Sequence, residues 1–396
     1  MINYEELMVK RIMDVPPSGI RKFFDIANEM GDAISLGVGE PDFDTPWHIR
    51  EEGIYSLEKG KTFYSANAGL LELRQEICNY MKRRFKLNYC AKQETLVTVG
   101  GSEAIDLALR ILVSDGDEVL IPEPSYVSYT PCTIFAGGTP VAIPTREEDN
   151  FKLTPAMLKK YITPRTKVLI LPYPNNPTGA IMEKKDLEAI AEVIKETNII
   201  ILSDEIYSEL TYGKQHISIA NIEGMYERTI LISGFSKSYA MTGWRLGYAL
   251  GPEPLMAMMT KMHQFAIMCA PTTSQYAAIE AMKNGDNDVV MMCESYNQRR
   301  RLMVEHFRDM GLSCFEPEGA FYVFPSIKET GLSSMEFCET LLKEEKVAVV
   351  PGSAFGGYGE GFIRCSYAYS VEELKEALVR IERFVKKRLD IVNNKK

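Results

Sequence analysis

The 396-residue chain is 45% hydrophobic and 25% charged, with a formal net charge of −9. That composition supplies core enough for two domains and excludes an intrinsically disordered chain. The acidic balance lacks the basic footprint of a nucleic-acid binder.

Met1–Lys10 is polar and carries Glu5, Glu6 and Lys10, so no targeting segment is expected there. No apolar run is long enough to span a bilayer. Eight cysteines are scattered without a Cys-x-x-Cys pair, as in buried thiols of a reducing compartment, and a cytoplasmic location is expected. The four histidines, His48, His216, His263 and His306, lack ligand spacing, so no metal site is expected.

Leu36–Pro46, with Gly37, Gly39, Pro41 and Pro46, reads as a structured loop after an N-terminal arm. Short runs rich in Val, Ile and Leu follow at Thr95–Val99, Glu118–Ile121, Lys167–Leu171, Asn198–Leu202 and Thr229–Ile232. Near-continuous apolar runs of this length are strands buried on both faces. Helical patterns at Ser102–Val113 and Lys184–Glu196 lie between them, which implies an α/β domain with a mainly parallel sheet. The last third reads as a smaller α+β unit. It has helices at Asp288–Met310 and Met335–Glu345 and strands at Ala320–Phe324 and Phe362–Tyr367. Ser370 and Glu373 have capping-box spacing ahead of a final amphipathic helix.

Ligands of such sheets bind beyond the carboxyl ends of the strands. After Thr95–Val99 comes Gly100-Gly101-Ser102-Glu103. The glycines allow close approach, the first helical turn favours an anion, and Ser102 can cap the helix or donate to a phosphate oxygen. An ordinary strand-to-helix turn reads the same way, and Glu103 must point away if an anion sits here. After Lys167–Leu171 comes Pro172-Tyr173-Pro174-Asn175-Asn176-Pro177-Thr178-Gly179, a rigid turn that can hold a cis proline. After Ile199–Leu202 comes Ser203-Asp204-Glu205-Ile206-Tyr207. A carboxylate at the end of a buried strand needs a cation or hydrogen bonds, unless it is only a helix cap. After Thr229–Ile232, Ser236-Lys237-Ser238 is followed by Thr242-Gly243-Trp244-Arg245. A lysine among small and aromatic residues is desolvated, which lowers its pKa and makes it a nucleophilic amine.

Competing motifs fail. Asp42 stands where a dinucleotide fingerprint beginning at Gly37 needs its third glycine, and Tyr55 replaces the first glycine of a P-loop ending in Gly60-Lys61-Thr62. The cluster Met256, Met258, Met259, Met262 and Met268 reads as helix packing.

From Gly37-Val38-Gly39-Glu40-Pro41-Asp42-Phe43 through the Lys237 segment to Phe362-Ile363-Arg364-Cys365-Ser366-Tyr367, the chain resembles the class I, fold-type-I pyridoxal-phosphate aminotransferases. The start Pro16–Phe23 and the Gly-Gly-Ser-Glu turn resemble the branch with bacterial aspartate, aromatic and N-acetyl-diaminopimelate enzymes. The resemblance implies an N-terminal arm at 1–45 that belongs to the small domain. It also implies a large domain at 46–285, with a mostly parallel seven-stranded sheet between helices, and a small C-terminal domain at 286–396.

By the same resemblance, Lys237 holds pyridoxal 5'-phosphate as a Schiff base and Asp204 pairs with its ring nitrogen. Asn176 and Tyr207 meet the ring oxygen, and Tyr126 stacks on the ring. Gly101, Ser102, Arg245 and Ser236 surround the phosphate. Tyr64 reaches the site of a partner subunit, which implies a homodimer with shared sites, while Arg364 and Gly39 meet the substrate carboxylate. The implied activity is ping-pong transfer of an amino group from an L-amino acid (aspartate, aromatic or related) to a 2-oxo acid such as 2-oxoglutarate.

A carbon–sulfur β-lyase would use the same Lys237, Asp204 and Arg364. A regulator built on this fold would need a DNA-binding domain, for which the short arm leaves no room. Some aspartate-specific relatives carry lysine where Ser102 stands, which weakens strict aspartate specificity. The side-chain pocket is expected to draw on Ser18–Ile20 and on the partner subunit.

Overall fold

Seven short segments pair into one sheet in the computed structural model, which describes residues 2–17 and 30–394. They are β1 (Thr95–Thr98), β2 (Glu118–Glu123), β3 (Thr139–Pro144), β4 (Thr166–Leu171), β5 (Ile200–Asp204), β6 (Thr229–Gly234) and β7 (Gly247–Leu250). Their order is β1-β7-β6-β5-β4-β2-β3. β7 runs antiparallel to both neighbours and every other pair is parallel, so six carboxyl ends meet one edge of the sheet.

The five expected strands are present, and their central residues are buried on both faces. Two strands escaped the sequence reading. β3 opens with Thr139-Pro140 at the edge of the sheet, where proline is tolerated and burial is incomplete. β7 is only Gly-Tyr-Ala-Leu, too short to show a period.

The helix after β1 spans Gly100–Leu112. It starts two residues before the expected Ser102, so Ser102 lies in its first turn and does not cap it. Lys184–Ile194 forms a helix as expected, and the turn after β4 contains cis bonds at Tyr173-Pro174 and Asn176-Pro177.

The C-terminal unit holds helices Asp286–Asp309, Ser334–Glu345 and Val371–Asn393. The expected strands shorten to Tyr322–Val323 and Ile363–Ser366, which pair antiparallel, and Val350–Pro351 joins Ile363–Ser366 from the other side. Ser370 and Glu373 form the expected capping box. Behind it Leu374, Ala377, Leu378, Ile381, Phe384 and Val385 are buried together. The larger apolar side chains among them contribute about 1.5–3 kcal/mol each on full burial. Residues 34–36 join this unit: Ile34–Ser35 pairs with Val347–Ala348, and Leu36 O accepts from Ser366 N at 2.7 Å. Gly37 to Glu40 therefore hang over the carboxyl edge of the sheet from a fixed anchor.

Gly247 in β7 faces the turn that follows β1. A Cβ there would stand 2.6 Å from both Gly100 C and Gly101 N. Gly247→Ala is expected to lower unfolding free energy by about 1–3 kcal/mol, as overpacking does. Urea denaturation of the two proteins at equal concentration measures it.

Candidate active site

The carboxyl edge of the sheet opens into a cavity of about 380 Å³. Gly39, Gly101, Ser102, Tyr126, Asn176, Asp204, Tyr207, Ser236, Lys237, Arg245 and Arg364 all line it. Residues widely separated in sequence thus converge because the ends of β1, β2, β4, β5 and β6 share one edge, faced by the Gly39 loop and the strand that carries Arg364.

At one end, Gly100 takes φ +76°, where glycine is favoured, and leads Gly101 and Ser102 into the first helical turn with its free N–H groups. A Cβ on Gly100 would come 2.8 Å from Arg245 Nη2, so the glycine lets the guanidinium lie against the helix start. Arg245 itself adopts φ +54° and donates from Nη1 to Thr242 O at 2.9 Å. Glu103 is turned aside, as an anion site requires. Its Oε2 accepts from Val99 N at 2.5 Å and its Oε1 meets His263 Nδ1 at 2.7 Å.

Asp204 ends β5 in the floor. Oδ2 accepts from Tyr129 Oη at 2.7 Å and Oδ1 from Ile206 N at 3.2 Å. Burial raises its pKa above the ordinary carboxylate range, and these two bonds oppose the shift. Its protein partners are both neutral, so the site favours a cation placed beside this carboxylate.

Lys237 follows β6 and donates from Nζ to Gly39 O at 2.6 Å. Burial pushes its pKa down to about 8; Glu40 opposes, while Arg364 and Arg245 add to the fall. Near neutral pH this amine is thus far closer to its free base than a surface lysine is.

Arg364 lies in the strand Ile363–Ser366 and is 3% exposed. Nη1 donates to Asn176 Oδ1 at 2.9 Å and Nη2 donates to Gly37 O. The guanidinium sits over the rings of Tyr322 and Phe355, 4.4 and 4.8 Å from their centroids, and its Nε is buried without a partner. A flat cation lining a cavity suits a carboxylate. Tyr207 Oη lies 2.8 Å from Tyr322 Oη, and Tyr126 meets Tyr129 edge-on.

Tyr64 is 80% exposed and lies outside this cavity. Ser18–Ile20 lie outside the described residues. Tyr129 and Tyr322 join the site without having been singled out from the sequence, and Thr242 and Glu40, quoted there without a role, meet here: Thr242 Oγ1 donates to the Glu40 carboxylate. Tyr129 had a usable signal: it stands three residues after Tyr126, one turn along the segment that leaves β2. Tyr322 had none, because its place depends on pairing with residues far along the chain.

The family of class I and II aminotransferases matches residues 31–381. YugH of Bacillus subtilis is 54% identical over 95% of this chain and 97% of its own length. The aspartate aminotransferase of Pyrococcus abyssi is 47% identical over 96% of this chain and 99% of its own. Among solved structures, the aromatic aminotransferase of Pyrococcus horikoshii superposes with a TM-score of 0.89 at 47% identity, covering 92% of this chain and 99% of that one.

Protein stripped of any bound carbonyl compound with hydroxylamine and then dialysed is expected to show one lysine, Lys237, whose labelling by an amine-reactive reagent rises with a midpoint near pH 8, against about 10.4 for an ordinary exposed lysine amine. Peptide mass spectrometry across a pH series identifies it; a Lys237 midpoint near the surface value would contradict the burial argument.

Proposed function

Because this chain belongs to the class I and II aminotransferases, we propose that its cavity binds pyridoxal 5'-phosphate and exchanges amino groups between an L-amino acid and a 2-oxo acid. The observation that carries the reading is the pairing, in one cavity, of a lysine with depressed pKa and a buried carboxylate with neutral partners. The residues fit the group. The glycine-cleared helix start beside Arg245 suits a phosphate, and Asp204 suits a protonated pyridine nitrogen.

When bound, the cofactor supplies an aldehyde for the amino group and an electron sink for the substrate Cα–H bond. Gly101, Ser102 and Arg245 hold its phosphate, with Ser236 beside them. Asp204 keeps a proton on the ring nitrogen. Tyr126 covers the ring face, and Asn176 and Tyr207 approach its oxygen. Arg364, with Gly39 nearby, grips the substrate carboxylate, which fixes the direction of the Cα–H bond. Lys237 Nζ takes the Cα proton and returns it at the neighbouring carbon, work that its pKa of about 8 suits.

The family and relatives set the β-lyase alternative aside. Aspartate and aromatic amino acids are the donors that the relatives' names suggest, and 2-oxoglutarate is the acceptor of this proposal.

We place the arm at 1–45 with the small domain at 286–396, around a large domain at 46–285; the pairing of Ile34–Ser35 with Val347–Ala348 supports this. The chain works as a homodimer in which the partner's Tyr64 completes each site. Support comes from an exposed apolar region: Phe63 and Tyr64 are 80% exposed and Phe265 81%. Thr272 Oγ1 to Phe63 O and Asn67 Nδ2 to Met268 O tie its segments together. Exposed apolar patches of this kind mark protein contacts. Among the described residues no helix is long and apolar enough to cross a membrane.

Purified protein with the cofactor, an amino-acid panel and 2-oxoglutarate is expected to form glutamate. Without an oxo acid no steady release of ammonia is expected; such release would overturn transamination. Lys237→Ala is expected to lower turnover by about 10²–10⁴-fold, the worth of a positioned proton carrier. Arg364→Ala is expected to raise KM for the amino acid, since a lost charged hydrogen bond costs about 1.5–3 kcal/mol, roughly ten- to a hundredfold. Sedimentation at low concentration is expected to give twice the chain mass.

A further inference from the structure

Tyr322 touches three of the groups used above. Its hydroxyl is 2.8 Å from Tyr207 Oη. Its ring lies beneath the Arg364 guanidinium, 4.4 Å from centroid to Cζ. Its hydroxyl also fills the space where Gly39 lacks a side chain; a Cβ there would run into Tyr322 Oη. Gly39 O is the atom that accepts from Lys237 Nζ.

Strand pairing fixes this position. Tyr322 is the register partner of Ser366, two residues from Arg364 on the neighbouring strand. Residues two apart share a face of a strand, so Tyr322 and Arg364 are diagonal neighbours on one face. Tyr322 is 1% exposed, so its contacts do not compete with water.

We propose that Tyr322 is a positioning residue: its hydroxyl orients the Tyr207 hydroxyl toward the cofactor's ring oxygen, and its ring supports Arg364 against the substrate carboxylate. The proposal rests on the cofactor reading above. It assigns to Tyr322 a task that neither the motifs nor the family match identifies.

Two phenols joined by one hydrogen bond have two protons, and one proton lies between them. If Tyr207 donates to Tyr322, it has nothing left to offer the cavity. If Tyr322 donates to Tyr207, the Tyr207 proton is free to reach an oxygen there. Burial raises the pKa of both phenols, so both keep their protons near neutral pH. A negatively charged ring oxygen selects the second arrangement, and a chain of two hydrogen bonds strengthens the terminal donor.

The test is a pH titration of the visible absorption band of the cofactor-loaded protein, which a merely structural residue would not move. Tyr322→Phe keeps the ring and deletes the donor. A weaker Tyr207 donor raises the proton affinity of the ring oxygen. The spectral midpoint is therefore expected to move up by about 0.1–0.6 pH units, with KM for the amino acid near the wild-type value. Gly39→Ala, which pushes the same hydroxyl aside, is expected to move it in the same direction. Tyr322→Leu removes the ring and is expected to raise KM about two- to fivefold, the worth of a cation–ring contact. A Tyr322→Phe midpoint equal to wild type or lower overturns the proposal and leaves the cofactor reading standing. A wild-type protein that develops no visible band with pyridoxal phosphate overturns both.

Discussion

Burying charge is the constraint on which the site depends. Asp204 and Arg364 are buried and Lys237 is half-buried around one cavity, with Arg245 and Glu40 at its exposed rim. Each ion removed from water costs several kcal/mol unless something meets it. The surroundings are arranged to do so with neutral groups: Gly39 O for Lys237, Gly37 O and Asn176 for Arg364, and Tyr129 for Asp204. Among the described lining residues the cations outnumber the anions, so the balance favours an anionic ligand. A phosphate at the helix start and a carboxylate at Arg364 both answer that balance.

The fold meets this constraint by topology. Six strands that end at one edge place Gly101, Tyr126, Asn176, Asp204 and Lys237 side by side without any long-range search by the side chains. Arg364 and Gly39 come from the other direction, on elements anchored to the C-terminal unit. The contact of Arg364 with Asn176 and Gly37 therefore holds three chain regions together as well as preparing a cation. A shift of the C-terminal unit relative to the sheet would separate Arg364 from Asn176 and move Gly39 O away from Lys237.

Much of this was legible because local rules governed it. Five of the seven strands announce themselves as apolar runs, and the polar residue after each run is by construction at the carboxyl edge. Asp204 and Lys237 could be singled out on that ground before any resemblance was considered. The capping box at Ser370 was legible for the same reason: four residues decide it. β3 and β7 were not, one broken by proline at an exposed edge and the other too short. Tyr322 was invisible because register, not sequence neighbourhood, sets it beside Arg364. Of the two tasks open to Ser102, capping falls away because Gly100, with its positive φ, lets the helix begin earlier.

Lys237 shows what such a site asks of the fold. Burial sets its pKa near 8, against 10.5 for a lysine in water. Between those values the unfolded chain binds a proton that the folded chain does not. From this lysine alone, then, stability rises as pH climbs from about 8 toward 10.5. Below pH 8 the folded chain carries a constant deficit on the order of 3 kcal/mol, a sizeable part of the 5–15 kcal/mol typical of a domain. An apolar residue at 237 would relieve that deficit, so the lysine is not there for stability. The depressed pKa that weakens the fold is the property that leaves its amine free to bond and to carry a proton near neutral pH. The rest of the structure, from the seven-stranded sheet to the capped C-terminal helix, supplies the stability against which that cost is set.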